Sequence, residues 1–288
     1  MLPIVPRPIV ERVAARYVAG KSLEDALTAA RRLNAEGARA TIDILGESVK
    51  LPELAEAAVA QYLELIDAVN ASGVDSSVSV KPTMLGLNID TSLFRRHMHT
   101  LAQQAAAHGV VLTIDMEDRT TTDATLKTFH ALHESFGSVG CVLQAYMRRT
   151  LHDIDALPAN SNVRLCKGIY VEPEEVAFKG YQEVRNNYMR ALDRLVAGGH
   201  FVGIATHDEW LIAQSENLVS RLALTRDQYE FQMLLGVKPP LRKRLITAGH
   251  PLRVYVPFGA DWHAYSLRRL RENPQVAVHV LRAMLAGK

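Results

Sequence analysis

What most constrains the fold of this chain is a rhythm. Short β-rich runs alternate with helical stretches, eight times over: RATIDILG (39–46), SVSVK (77–81), VVLTIDM (110–116), VGCVLQAY (139–146), VRLCKGIY (163–170), HFVGIATH (200–207), YEFQMLLG (229–236) and LRVYVPFG (252–259). Their centres lie two to three dozen residues apart, room for a strand, a helix and two loops. The stretches between them carry apolar residues at three- and four-residue spacing and stop at Gly, as in LPELAEAAVAQYLELIDAVNASG and SLFRRHMHTLAQQAAAHG. Eight strands alternating with helices fit an α/β fold, either a doubly wound sheet or a (β/α)8 TIM-type barrel. The even spacing favours the barrel. So does the first strand, which runs into LGES, where a dinucleotide-binding sheet carries GxGxxG. The expectation is one barrel domain over residues 1–288, with 1–38 as an N-terminal helical segment.

Composition removes other classes. With 288 residues, 48% of them hydrophobic, the chain can bury a large core without disulfide or metal. Thirty-three basic against 31 acidic side chains leave a formal charge of +2, no electrostatic case for nucleic acid. Cys141 and Cys166 each lie in an apolar run and read as buried free thiols of a reducing compartment. No Cys/His spacing suits zinc, so no metal is expected. The N-terminus lacks the continuous apolar stretch of a signal peptide, and no run of about 18 apolar residues spans a bilayer. The chain reads as cytoplasmic.

The strand ends are unusually polar. SVSVK closes on Lys81, LTIDMED carries Asp115, VLQAY carries Gln144, RLCKGIY carries Arg164 and Lys167, and IATHD carries His207. Side chains alternate faces along a strand, so Ser79 and Lys81 point one way, as do Thr113 and Asp115 on the next strand. If that way is inward, a Lys81–Asp115 pair lies at the barrel mouth, where chemistry belongs in this fold. Structural readings stand beside these: a plain ion pair for Lys81, backbone satisfaction for Gln144, a cap or a core histidine for His207. Tyr146, Tyr181 and Tyr188 read as packing. Arg164 and Lys167, three apart, converge only if the strand ends by Lys167, which Gly168 allows.

After the eighth strand comes YSLRRLREN, in which Tyr265, Arg268, Arg269 and Glu272 share one helical face. A helix there stands over the barrel mouth. Lys81, Arg164, Lys167, Arg268 and Arg269, countered by Asp115, Glu47 and Glu272, make a cationic pocket for an anionic substrate, a phosphorylated cofactor, or both. Adjacent arginines can grip one planar carboxylate in a fork.

In order along the chain, DILGES, SVSVK, IDMED, VLQAY, RLCKGIY, IATHD, FQMLLG, VYVPFG and YSLRRLREN resemble the proline dehydrogenase family, from about Arg39 to about Asn273. The resemblance implies a distorted (β/α)8 barrel with the eighth helix over its mouth and non-covalent FAD at the strand ends. It implies oxidation of L-proline to Δ1-pyrroline-5-carboxylate, hydride passing to flavin N5 and electrons on to a membrane quinone, hence a peripheral contact with the membrane. Arg268 and Arg269 match the pair that binds the proline carboxylate, Lys81 a substrate-site lysine and Asp115 the carboxylate near it. Tyr170, Tyr255 and Tyr265 match aromatics that wall the ring. Thr113, Gln144, Arg164, Lys167, Gly168, Ile169, Thr206 and His207 match FAD contacts, with Arg164 near the reacting nitrogen. Glu272 matches a helix carboxylate at the flavin, and Glu47 a gate that pairs with the first arginine.

The chain departs from the family pattern at Ile169, where alanine is common, at Pro82, where leucine is, and at Asp208, where asparagine is. Ile169 is expected to tighten the pocket, and Tyr265 to favour proline over hydroxyproline. Two other function classes stay open on the residues alone. One is a Schiff-base aldolase on the same barrel with Lys81 or Lys167 as nucleophile; the other is a barrel that binds a metabolite without catalysis.

Overall fold

The structure is a computed structural model that describes residues 16–262. Helix α1 (Leu23–Ala35) precedes the first strand. Then follow β1 (Arg39–Ile44), α2 (Pro52–Ser72), β2 (Ser76–Val80), α3 (Thr91–Ala107), β3 (Leu112–Ile114), α4 (Thr122–Phe136), β4 (Val139–Gln144) and α5 (Thr150–Asp155). The second half comprises β5 (Asn162–Cys166), α6 (Tyr181–Ala197), β6 (Phe201–Ala205), α7 (Glu209–Arg221), β7 (Tyr229–Leu234), α8 (Pro239–Thr247) and β8 (Leu252–Phe258). All eight expected strands form and close into one parallel barrel, β8 pairing β1 with Arg39 beside Arg253 and Asp43 beside Pro257.

Local chemistry sets the boundaries. Ser22 and Asp25 form a reciprocal capping box that starts α1. The Asp90 and Asp208 carboxylates accept the first free amides of α3 and α7. Helix α2 ends at Gly73, whose φ of 66° suits a residue without Cβ. Along α2, Ala55, Ala58, Val59, Tyr62, Leu65, Ile66 and Val69 are buried, a three-and-four stripe facing the sheet.

The apolar core lies between strands and helices. Ile42, Val78, Ile114, Leu143, Leu165, Ile204, Phe231 and Val254 face outward from the barrel and are almost wholly buried beneath the helices, with Phe94, Met98 and Phe129 opposite. Each such side chain contributes roughly 1.5–3 kcal/mol of burial free energy. Helix α1 lies against both β8 and β1, the seam that a helix after the last strand covers in an ordinary barrel. The chain entering it is tied there, the Ala19 amide donating to the Pro257 carbonyl at 2.9 Å and the Gly259 amide to the Gly20 carbonyl at 3.0 Å.

The strands are shorter at their C-terminal ends than their β-rich runs predict. Lys81, Asp115, Lys167 and His207 lie just past the strand ends, although backbone bonding still reaches the Asp115 amide and the Lys167 carbonyl. Of the predicted 1–38 helical segment, Leu23–Ala35 is helix. The helix expected over the mouth, with Tyr265, Arg268, Arg269 and Glu272, lies outside the described residues.

Candidate active site

Inside the barrel the alternate residues are polar, and they bond one another along a strand, between adjacent strands and, through Arg164, between strands that do not pair. At the base, Arg253 Nε donates to Glu230 Oε1 at 2.6 Å, and Gln232 Nε2 donates to the same oxygen at 2.8 Å. Gln232 Oε1 in turn accepts from Arg164 Nε at 2.6 Å. The Arg164 guanidinium then spends its remaining donors upward and across. Nη1 reaches Asp115 Oδ1 at 2.6 Å, and Nη2 reaches Ser79 Oγ at 3.0 Å. Gly203, beside Arg164 in the β5–β6 register, leaves the space that Gln232 fills; a Cβ there would run into its amide. A planar guanidinium fixed on three sides is a preorganised positive charge.

Above this floor a cavity of about 920 Å³ opens at the C-terminal strand ends. It is lined by Lys81, Asp115, Gln144, Arg164, Lys167, Gly168, Ile169, Tyr170, Thr206, His207 and Tyr255, all anticipated from the sequence. Tyr255 donates its hydroxyl to Asp115 Oδ2 at 2.8 Å, and its ring centroid lies 5.3 Å from the Arg164 guanidinium carbon. Burial pushes the Tyr255 phenol well above its ordinary range, with the Asp115 charge adding to it, so the phenol stays a donor. Gln144 donates to the Glu117 carbonyl at 2.9 Å, as the structural reading allowed, while also facing the cavity.

Several expectations need correction. Lys81 does not bond Asp115: its Nζ lies 2.5 Å from Asp43 Oδ2, and Asp115 is taken by Arg164 and Tyr255. Asp43 follows Thr41 on the inward face of β1, so strand parity could have found it. Thr113 faces the barrel interior beside Ser79 but lies off the cavity, whose wall Met116 enters instead. Glu47 sits exposed on the loop after β1, also off the cavity. Cys141 is buried as expected, but Cys166 lines the cavity, its thiol pushed up to about 11 by burial despite the nearby Arg164 charge. Ile169 lines the rim yet remains 47% exposed, so it does not plug the pocket.

The rim carries a cluster that sequence reasoning missed. Asp208 takes Arg185 through Nε at 2.9 Å and Nη2 at 2.7 Å, and the Tyr181 hydroxyl at 2.7 Å, with Lys167 Nζ at 3.5 Å. Arg185 stacks on the rings of Tyr181 and Trp210, 4.3 and 5.1 Å from their centroids. Burial works to raise the Asp208 carboxyl, but the bonds from Arg185 and Tyr181 outweigh it and hold the acid far below the usual carboxylate range. Tyr181 therefore belongs to the site rather than to packing, whereas Tyr188 is buried and donates to the Leu165 carbonyl at 2.9 Å. Asp208 is the cap of α7; His207 faces the cavity and its Nε2 accepts the Leu234 amide at 2.9 Å. Arg185, in the second turn of α6 among other polar residues, left no sequence signal.

The turn of Lys167 to Tyr170 converges on the cavity because β5 ends at Cys166 and Gly168 takes φ 107°; a Cβ there would strike the Tyr146 ring. The resulting wall is cationic, partly aromatic and shielded, suited to an anionic ligand beside an apolar ring. Burial works to lower the Lys81 ammonium, but Asp43 and Asp115 more than offset it and hold the group charged. A Schiff-base nucleophile needs the opposite, an amine that sheds its proton near neutral pH.

Residues 26–282 match the sequence model of the family described as proline dehydrogenase. The chain belongs to the proline dehydrogenase family. It is 35% identical to a proline dehydrogenase of Deinococcus radiodurans, spanning 100% of this chain and 97% of that one. It is 36% identical to proline dehydrogenase 2 of Bacillus subtilis over 95% of this chain and 91% of the relative. In architecture, 91% of the chain superposes on 33% of proline utilization A from Bdellovibrio bacteriovorus, solved after inactivation by N-propargylglycine, with a TM-score of 0.85 and 24% identity. That likeness agrees with the closed (β/α)8 barrel. Among the described residues, no helix is long and apolar enough to cross a membrane.

Proposed function

We propose that this chain oxidises L-proline to Δ1-pyrroline-5-carboxylate in proline catabolism, using non-covalently held FAD. The observation that carries the reading is the Arg164 centre: one guanidinium fixed by Asp115, Ser79 and Gln232 at the mouth of a barrel from this family. A cavity of about 920 Å³ is far more than a five-membered amino acid fills and leaves room for a dinucleotide beside it. The donor set fits that cofactor, since Arg164 and Lys167 bring positive charge and Gly168 lets backbone stand close to a bulky ligand. Gln144, Arg164, Lys167, Gly168, Ile169, Thr206 and His207 line the same cavity and are assigned to hold the FAD; Glu272 is assigned from the family likeness alone. Bound FAD would supply the electron acceptor, with N5 as the position for hydride and a membrane quinone, met at the membrane surface, as the onward acceptor.

The protein's share is grip, orientation and charge. Arg268 and Arg269 hold the proline carboxylate in a fork, which fixes one end of a small rigid ring. Tyr170, Tyr255 and Tyr265 supply its walls, and Lys81 offers the ammonium donors that Asp43 leaves free. Arg164 and Lys167 place positive charge where electrons arrive, without reorganising at the moment of reaction. Asp115 keeps Arg164 and Tyr255 in place, and Glu47, on the loop after β1, is assigned as a gate with Arg268 from the family likeness alone.

The test is the visible spectrum of the purified protein before and after anaerobic proline addition. Flavin bands that bleach on addition of proline are expected, with proline-dependent reduction of an artificial dye. A colourless protein in which added FAD restores no proline-dependent dye reduction would refute the reading.

A further inference from the structure

The acid that this mechanism leaves without a function is Asp43. It is 1% exposed, at the inward end of β1, with Lys81 Nζ 2.5 Å from Oδ2 and the Tyr62 hydroxyl donating to Oδ1 at 3.4 Å. The charged and titratable groups around this pair come from five directions. Tyr62 projects from α2, Lys81 follows β2, Asp115 and Glu117 follow β3, Arg164 rises from β5 and Tyr255 from β8. Asp115 is committed to Arg164 and Tyr255, and Glu117 accepts both the Thr83 amide and hydroxyl at 2.7 Å. Among the described residues, Asp43 is the acid in ion-pair contact with Lys81.

We propose that Asp43 is a positioning residue for the amino-acid pocket, fixing both the charge and the direction of Lys81. The proposal rests on reading the cavity as a proline site. An ammonium has three donors; Asp43 takes one from below and leaves the others for the cavity that Lys81 lines. A lysine buried to this degree without a counter-charge loses its proton readily, its pKa falling by up to several units. Burial also pushes the Asp43 carboxyl up to about 6 against the pull of Lys81, so the pair weakens as acid neutralises Asp43.

The experiment compares wild type with Asp43→Asn, Lys81→Met and the double variant, all as flavin-loaded protein. Competitive acetylation of Lys81 with acetic anhydride across pH, read by mass spectrometry, measures that amine directly. In Asp43→Asn the Lys81 titration should move down by about one unit or more. The proline KM should rise roughly tenfold above neutral pH while kcat changes far less, since binding rather than chemistry is lost. Wild-type KM should climb below about pH 6, and that inflection should vanish in Asp43→Asn. In the Lys81→Met background, Asp43→Asn should add less than about twofold. An unchanged Lys81 titration, or a full additional KM penalty in the double variant, overturns the proposal. Should Asp43→Asn fold poorly, Lys81→Met in the same chain should restore its Tm by removing the unpaired ammonium; no restoration also overturns it. If wild type fails to oxidise proline, the functional reading fails, while the labelling shift still judges the Asp43–Lys81 link.

Discussion

Replacing Asp115 with Asn tests the interior network where it meets the cavity. The side chains of Asp115 and Arg164 are 15% and 8% exposed and bond at 2.6 Å. Removing one partner of a buried ion pair costs about 3–5 kcal/mol, because the other charge is left uncompensated. Here the loss is smaller. Asn keeps an oxygen that accepts from Arg164, and Ser79 and Gln232 still hold the other two faces of the guanidinium. A net cost of about 2–3 kcal/mol follows, with a fall in Tm of about 4–8 °C for a chain of this size.

Thermal melts of Asp115→Asn, Arg164→Gln and the double variant close the cycle. The double variant contains no uncompensated charge, so it should be about 1–2 kcal/mol more stable than the sum of the single losses predicts. Additive losses, or a single-variant cost under about 0.5 kcal/mol, would show that the two groups do not depend on each other. Proline-dependent dye reduction should fall further than stability does, because Arg164 then drifts from the position where its charge is needed.

Gly168→Ala should lower Tm by several degrees and weaken flavin retention on a desalting column, since φ 107° and the Tyr146 ring both oppose a methyl group. Asp208→Asn should destabilise the protein at pH 7 by about 1–3 kcal/mol. Because the folded carboxyl is held below its unfolded value, its contribution is present above about pH 4 and is lost as pH falls, so the two melting curves should converge in acid. Divergence toward acid would reverse the sign of that argument. Arg269→Met should raise the proline KM by about two orders of magnitude; a KM within about twofold of wild type would remove the carboxylate grip.

The barrel was legible because its signal is periodic. Eight apolar runs and their helical spacers predict eight strands, and each forms, with errors confined to the strand ends. The cavity wall was legible for a related reason: charged residues at the ends of apolar strands are costly unless paired or used. Which charge meets which was not. Lys81 and Asp115 sit on neighbouring strands with matching parity, yet Lys81 bonds Asp43 on its other side, and Asp115 bonds across the barrel to Arg164. Parity gives the face of a strand and leaves open the choice among several acids on that face. The Asp208 cluster was least legible, since Tyr181 and Arg185 come from a helix whose polar face resembles any solvated one.

Helix α1 sets a floor on how far this protein can be shortened. A chain starting at Arg39 would retain every strand and every described cavity residue, and by inventory it would look sufficient. It would also show water the flanks of β1 and β8 that Leu27, Ala30 and Leu33 now shield, each of those side chains at most 6% exposed. Two leucines alone represent about 3–6 kcal/mol of apolar burial, a large part of the margin by which such a domain stays folded. Trimming from the front should therefore give an insoluble product, even though none of the described residues it deletes lines the ligand cavity.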